Sequence, residues 1–367
     1  MRIRIFQPIV PEYRVALFNG VGKRYGADVE VWASEGEGED RSHLLESMRF
    51  DYAHPFVKCG PIRWQRGLSL RGLARRDVIV ICGDVHQLSS LWIALEARIC
   101  GIGVVWWGHH MTATSKPLGV KIRLTMAKLL SDVFLCYTRT GVAYLESYGF
   151  KKGRVFATGN TIDQVPIRNA IETTRTLPRP FTFTSQYFLC CGVLREKIHL
   201  DLFLRAMADS RLKNVGLVVI GEGPMKKAWQ ELSVELGVSS RIRWVRGTRD
   251  QKDMAPWFLG AKALMYPGSI GLTILHSFSY GLPVITHGNA AHQMPEFEAM
   301  EDGKTGFCYA EGDAEDLVAK TDMLLSDEKR RTEMARYCLM VAHEKYSMTQ
   351  MIENYCAAIE AAKADDA

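Results

Sequence analysis

Long apolar runs are missing from this chain. The most extended, Val78 to Cys82 and Gly101 to Trp107, fall far short of the ~20 residues that cross a bilayer, so no transmembrane helix is expected. The opening Met-Arg-Ile-Arg-Ile-Phe has neither a long apolar core nor a small-residue cleavage site, so no secretory leader is expected and the reading is cytosolic. Among nine cysteines there is no C-x-x-C pair, and Cys82, Cys136, Cys190 and Cys191 sit inside apolar runs. That disfavours disulfides and thiolate zinc, and favours buried, reduced thiols acting as small hydrophobes. The dinucleotide fingerprint G-x-G-x-x-G is also lacking, because Gly221 and Gly223 are followed by Lys226 where the third glycine belongs; this disfavours a nicotinamide dehydrogenase. There is no short internal repeat and no low-complexity segment.

What is present is an ordinary globular composition, 47% hydrophobic and 24% charged, over 367 residues. Single cores stop growing near roughly 250–300 residues, so two domains are expected. Arg2 to Phe6, Val29 to Ala33, Val78 to Cys82, Gly103 to Trp107 and Val133 to Tyr137 read as short buried strands separated by helix-forming stretches. The pattern restarts after Pro178-Arg179-Pro180 with Phe188 to Cys191, Gly216 to Ile220, Ile242 to Val245, Ala263 to Tyr266 and Pro283 to Thr286. Apolar strands alternating with helices imply parallel sheets covered on both faces. The fold class is therefore α/β, with two doubly wound, Rossmann-like domains facing across a cleft. The expected division is an N-terminal domain over 1–165, a linker over 166–184, a C-terminal domain over 185–345, and a final helix within 346–367 packing back toward the first domain.

The net charge of +5 is uneven: residues 1–170 hold 23 Lys and Arg against 15 Asp and Glu, the remainder 23 against 26. Lys58 to Arg76 carries Lys58, Arg63, Arg66, Arg71, Arg75 and Arg76 with no acid, interleaved with Trp64, Leu68, Leu70 and Leu73. Such a strip is the footprint of a surface that meets anions. In Lys116 to Leu130, one helical face holds Leu118, Ile122, Met126 and Leu129, another Lys121, Thr125 and Lys128. It reads either as a core-facing helix with a solvated side or, joined to the basic strip, as part of a surface for anionic lipid.

Cations and glycines in the second half gather where doubly wound folds bind ligands, at the carboxyl ends of strands. Arg195 and Lys197 follow the strand ending at Cys191 and suit a diphosphate; solvated surface cations are the plainer reading. Gly221 and Gly223 let the backbone approach a ligand. After the strand ending at Tyr266, a tight loop over Pro267 to Gly271 leads into a helix start near Gly271 or Leu272, with Ser269 a candidate cap. Free N–H groups there make an anion site.

These residues carry a resemblance. Gly192 with Arg195-Glu196-Lys197, Gly221-Glu222-Gly223-Pro224, Arg243 to Gly247, Gly271-Leu272 through Tyr280-Gly281-Leu282-Pro283-Val284, and Pro295-Glu296 before Asp302 to Gly306 stand in the order of the C-terminal half of GT-B glycosyltransferases. They resemble most the large retaining family four, also called glycosyl transferases group 1. The resemblance is strong over about 185–330; the first half matches in layout alone. It implies a UDP- or GDP-sugar donor. Arg195 and Lys197 then resemble the pair that neutralises its diphosphate, with Gly192, Gly221 and Gly223 lining the site. Gly247 and Thr248 resemble the loop whose backbone meets the base, and Gly271, Leu272 and Thr273 the helix start at the phosphates. Gly159-Asn160-Thr161-Ile162-Asp163 matches the family's Asn-Gly-Ile-Asp stretch. The family's two glutamates, one near the donor sugar and one on the ribose hydroxyls, fall at Gly268 and His276. Imidazole still offers one acceptor to a ribose hydroxyl, and Ser269 is a candidate substitute at the sugar.

On the acceptor side, His109 after the strand ending at Trp107 matches a family histidine facing the donor sugar, with His110 beside it. Glu12 and Arg14 follow the first strand, Arg14 equally a helix-surface charge. Asp84 and His86 are a further acid and base pair, or turn formers. No D-x-D motif occurs, so no metal or other cofactor is expected. The implied acceptor is a glycan or lipid-linked glycan for capsule, O-antigen or exopolysaccharide, reached by peripheral contact with an anionic membrane, with retention at the sugar carbon. No recognised nucleic-acid motif accompanies the charge, so no nucleic-acid partner is expected. The competing readings are a nucleotide-sugar epimerase and a nucleotide-sugar-binding protein without activity.

Overall fold

The structure, a computed structural model, describes residues 1–34, 49–51, 55–110, 117–174 and 186–363. It divides into two compact units, Met1–Ile162 with Met348–Ala367, and Asp163–Ser347.

The first unit runs β1 (Ile3–Phe6), α1 (Glu12–Tyr25), β2 (Val29–Trp32), β3 (Arg49–Asp51), β4 (Phe56–Cys59), β5 (Ile62–Gln65), β6 (Val78–Cys82), α2 (Leu88–Ile99), β7 (Gly103–Trp107), α3 (Pro117–Leu130), β8 (Val133–Cys136), α4 (Arg139–Ser147) and β9 (Val155–Ala157). Seven strands form a parallel sheet in the order β3-β2-β1-β6-β7-β8-β9, with β4 and β5 a separate antiparallel hairpin. Alternation across the strands sorts the core into two faces. Ile3, Ile5, Val78, Val80, Val105 and Trp107 pack on α1 and on the helix Met348–Ala362, while Ile79, Ile81, Val104, Trp106 and Phe134 pack under α2, α3 and α4. That last helix fills the face with Met351, Tyr355, Cys356 and Ile359, all fully buried.

The second unit begins with α5 (Val165–Thr174), where the sequence suggested a linker over 166–184. Ile167, Ala170 and Thr174 lie on one helical face and are buried, so this stretch packs as structure, against α8; the rest of the expected linker, 175–184, lies outside the described residues. There follow β10 (Tyr187–Cys191), α6 (Leu200–Ala206), β11 (Gly216–Ile220), α7 (Lys226–Glu235), β12 (Ile242–Val245), α8 (Gln251–Gly260), β13 (Leu264–Met265), α9 (Thr273–Ser279), β14 (Val284–His287), β15 (Gly306–Tyr309), α10 (Ala314–Ser326) and α11 (Glu328–Met340); the helix Met348–Ala362 is then α12. The sheet is again parallel, in the order β12-β11-β10-β13-β14-β15. The strand order reverses between β10 and β13, so the loops after those two strands flank the crevice where doubly wound folds take ligands.

Helix α3 corrects one expectation. Of the apolar face Leu118, Ile122, Met126 and Leu129, Met126 packs partly against the core, but the other three are 69%, 50% and 65% exposed, and Val120, Leu124, Ala127 and Leu130 are buried instead. Among the described residues no helix is long and apolar enough to cross a membrane.

Candidate functional site

At the reversal point of the second unit, two loops are fastened to each other. The Gly268 N–H donates to Ile198 O at 2.8 Å and the Ser269 N–H to Lys197 O at 2.9 Å. This places the 3-10 turn Glu196–Ile198 directly against the loop entering α9. Arg195 and Lys197 stand on that turn, exposed, and neither makes an ion pair or side-chain hydrogen bond among the described residues. The loop entering α9 is itself pinned from below. Gln293 accepts from the Ile270 N–H at 2.7 Å and donates to Thr286 Oγ1 at 3.0 Å and His287 O at 2.9 Å. Tyr309 Oη donates to Pro267 O at 2.6 Å, and Thr286 Oγ1 to Gly268 O at 3.1 Å.

Helix α9 starts at Thr273, and the residue before it, Leu272, caps it without a side-chain bond. Ser269 is therefore not the cap: it lies four residues before the first helical residue, held there by its N–H bond to Lys197 O. The N–H groups of Gly271, Leu272 and Thr273 find no acceptor among the described residues, which is the unsatisfied first turn that an anion can complete. Glu296 lies close by: one of its carboxylate oxygens is 3.6 Å from where a Cβ on Gly271 would be, and its side chain is buried.

Position 268 has no room for a side chain. A Cβ there would sit 2.0 Å from Lys197 O and 2.9 Å from a His199 ring carbon. The missing glutamate is thus replaced by the main chain of the cation-bearing turn. Gly223 is similarly enforced, since a Cβ would meet Leu194 O at 2.4 Å, and Gly221 would meet Gly192 O at 2.0 Å. The close approach these two glycines permit is that of the 192–194 loop, which is locked on by Leu194 N–H to Glu222 O at 2.8 Å.

His276 sits one turn into α9, against Phe258 and Tyr280 at ring separations of 4.7 and 5.6 Å. Gln251 Oε1 takes the Tyr280 hydroxyl proton at 2.9 Å and faces His276 Nε2 at 2.8 Å. As Oε1 only accepts, Nε2 carries the proton and Nδ1 keeps its lone pair. Burial pushes the His276 pKa down to about 4, so the ring is neutral at pH 7. Tyr280 stood in the Tyr280-Gly281-Leu282-Pro283-Val284 motif without a role, and Gln251 was not singled out by any motif. Thr248 Oγ1 is engaged in its own turn, accepting from the Asp250 N–H at 3.1 Å, and a Cβ on Gly247 would sit 3.2 Å from the Gly221 Cα. No group of three or more His, Cys, Asp or Glu suited to a metal ion occurs among the described residues.

In the first unit His109 follows β7 and stacks on Tyr137 at 4.5 Å. Burial, then the Arg123 guanidinium, hold its pKa down to about 4. Arg14 is not a helix-surface charge: its guanidinium lies 4.2 Å over the Trp107 ring, bonded to Gln7 and to Tyr137 Oη. Glu12 is exposed at the first turn of α1. Asp84 and His86 bond each other at 3.0 Å in a turn. The basic strip proves to be in part the β4–β5 hairpin, where Lys58 stands opposite Arg63 and exposed Val57 opposite exposed Trp64.

Residues 179–338 match the family model for glycosyl transferases group 1, so the resemblance read from the ordered motifs is borne out over the second half. The lipopolysaccharide core biosynthesis glycosyltransferase LpsE of Rhizobium meliloti is 30% identical over 131 residues, 35% of this chain and 36% of LpsE. The sulfoquinovosyl transferase SQD2 of Arabidopsis thaliana is 30% identical over 166 residues, 42% of this chain and 31% of SQD2. The chain thus spans about a third of the length of each of these curated relatives. Of solved structures, Anabaena Alr3699/HepE in complex with UDP is similar with a TM-score of 0.70 at 13% identity, over 98% of this chain and 100% of that one. The apo form of the lipopolysaccharide outer core galactosyltransferase WaaB follows at 0.69 and 16%, over 98% and 99%. The fold is the GT-B architecture of two Rossmann-like units that the sequence led us to expect.

Proposed function

We propose that this chain, whose second half is a glycosyl transferases group 1 domain, is a glycosyltransferase. It moves a sugar from a nucleotide diphosphate sugar, a UDP-sugar before a GDP-sugar, onto a hydroxyl of a surface-glycan precursor. One observation carries this reading: two unengaged cations, Arg195 and Lys197, ride on a turn bonded directly to the loop that presents the unsatisfied N–H groups of 271–273. A diphosphate satisfies both sets at once. The preference for uridine is supported by HepE, described in complex with UDP, UDP and glucose, and UDP-glucose.

In the reaction the acceptor oxygen bonds to the anomeric carbon as the bond from that carbon to the β-phosphate oxygen breaks. The electron pair stays on the diphosphate. Its new charge is met by Arg195, Lys197 and the amides, donors fixed before the step and worth most where charge develops. The acceptor proton passes to the departing diphosphate oxygen, so attack comes from the leaving group's own face, the configuration is retained, and no metal is required. His276 Nδ1 accepts from one ribose hydroxyl. The acceptor is lipid-linked, and the cations of the first unit, those of the Lys58 to Arg76 strip with its exposed Val57 and Trp64 among them, draw the chain to the anionic inner face of the cytoplasmic membrane.

Calorimetric titration with UDP tests the donor site. Lys197→Ala removes a hydrogen bond to a charged group, worth about 1.5–3 kcal/mol, so affinity drops by roughly ten- to a hundred-fold; unchanged affinity takes Lys197 out of the site. The blocked position at Gly268 favours a second reading, a nucleotide-sugar-binding protein without turnover. Release of UDP from UDP-sugars, with or without acceptor, separates the two.

A further inference from the structure

Within the first unit, a cavity of about 760 Å³ opens at the amino ends of β7, β8 and β9, the ends opposite to the carboxyl-end loops that carry His109. Arg75, Arg98, Lys128, Lys151, Arg154 and Lys363 line it, with Asp132 as its one carboxylate. Asp132 is already committed, to Arg98 and to the Val104 N–H, and Arg154 donates to Ala361 O at the end of α12. Arg75, Lys128, Lys151 and Lys363 make no ion pair or side-chain hydrogen bond among the described residues. The lysine ammonium of Lys128 and the stem of Arg75 lie over Gly149 and Gly101, 3.0 and 3.2 Å from where a Cβ would be.

Lysines and arginines gather at helix C-termini for a structural reason, the dipole. Here α2, α3, α4 and α12 end at the cavity, and four termini supply roughly −2 in all. Six cations against that and one carboxylate leave a strong positive excess, so helix capping does not account for the cluster.

The second observation is apolar. Leu88, Trp92, Leu95 and Ile99 recur along one face of α2 and are 40%, 58%, 44% and 78% exposed. On α3, which packs beside α2, Leu118, Ile122 and Leu129 are exposed as well. Ile99 is adjacent to Arg98 and Leu129 to Lys128, so the apolar ridge runs into the cationic cavity. An apolar face of this extent on a single unit marks an interaction site. A free phosphate ester has no use for it; a phospholipid uses both parts.

We propose that this cavity holds the phosphate of an anionic phospholipid headgroup while the α2/α3 ridge sinks into the acyl boundary of the same leaflet. It sharpens the membrane contact proposed above, by moving the main anchor from the β4–β5 strip to this face, and does not depend on the sugar-donor site. The test uses the full chain and sedimentation with vesicles of phosphatidylcholine alone or with roughly a third phosphatidylglycerol. Lys128→Gln/Lys151→Gln/Lys363→Gln is expected to lower partitioning onto the anionic vesicles ~10-fold or more, and Ile99→Ser/Leu129→Ser to lower it too. An Arg63→Gln/Arg66→Gln variant is expected to lose less than the triple variant. UDP binding on the same samples reports the donor site separately and stays unchanged. An Ile99→Cys variant in a Cys59→Ser/Cys100→Ser background, which removes the exposed native thiols, carrying a polarity-sensitive dye, is expected to shift to the blue on anionic vesicles, a readout free of any effect of the lysine changes on folding. Wild-type partitioning by the triple variant overturns the proposal. So does Lys128-dependent binding of glycerol 3-phosphate in a chain that ignores vesicles, which assigns the cavity to a soluble ester. If membrane contact survives in the triple variant and fails in the Arg63/Arg66 variant, the β4–β5 strip is the anchor and the cavity is not.

Discussion

A single methyl group at position 268 tests how the two loops of the proposed donor site are built. In Gly268→Ala the added carbon would lie 2.0 Å from the carbonyl oxygen of Lys197, and that oxygen belongs to backbone, which cannot swing aside as a side chain would. To reach ordinary contact the two loops must part by more than ~1 Å, an overpacking cost of about 1–3 kcal/mol. The hydrogen bonds at 2.8 and 2.9 Å that join the loops stretch or break as they part. For a unit of this size each kcal/mol moves the melting temperature by roughly 2–4 °C, so the melt falls by about 2–12 °C. The functional loss is of the same order, because the turn pushed away carries both cations proposed for the diphosphate and a ~1 Å misplacement can cost ~100-fold in rate, about 2.7 kcal/mol. Calorimetry with UDP and a thermal melt on the same preparation read the two effects. Gly119→Ala, in α3 with no atom within 4 Å of the new carbon, is the matched control, gaining about 0.5–1 kcal/mol. A Gly268→Ala protein that melts and binds UDP like the parent would refute the loop geometry. The same reasoning makes Gly268→Glu a poor way to restore the family's carboxylate.

Two further outcomes follow from the same coordinates. His276 and His109, both held down to about 4, have folded pKa values below the ordinary imidazole value of ~6.5. The unfolded chain therefore binds more protons between those values, and the stability they supply is complete above pH 6.5 and lost as pH falls toward 4. Urea melts at pH 7.5 and 5 are expected to show the loss, and it shrinks in His276→Gln/His109→Gln; equal losses in parent and variant sink the assignment. Deleting residues 348–367 removes the buried Met351, Tyr355, Cys356 and Ile359 from the first unit's core. Limited proteolysis is then expected to cut within 1–162 while leaving 163–347 protected; the reverse pattern contradicts the division into units.

Most strands were legible because they are apolar on both faces and bounded by turn residues, a pattern that only a covered parallel sheet produces. The strands the sequence did not reveal are β3, β9 and β15 together with the β4–β5 hairpin. The first three end their sheets, and Arg49-Phe50-Asp51 carries no apolar run to see. The stripe on α3 was visible, but periodicity says that a helix has an apolar face and not which way it points. Val120, Leu124 and Ala127 are together smaller than Leu118, Ile122 and Leu129, yet they are the ones the sheet covers. At the candidate site the cations and the loop glycines were legible from spacing. Gln293, Thr286 and Tyr309 were not, since a side chain that reaches a loop 23 positions away leaves no local pattern.

The two departures at Gly268 and His276 belong to one physical change. A carboxylate at 268 would need the space that the Lys197 carbonyl fills. A carboxylate at 276 would meet Gln251 Oε1 unless the amide turned its NH2 toward it, whereas imidazole donates to Oε1 at 2.8 Å as the amide stands. In this arrangement the free lone pair of His276 is at Nδ1. Both substitutions exchange a charged acceptor for a neutral contact while Arg195 and Lys197 make no ion pair among the described residues; in the donor site proposed above, that shifts the grip from the sugar hydroxyls toward the phosphates, and the choice of sugar then falls to residues outside these two loops.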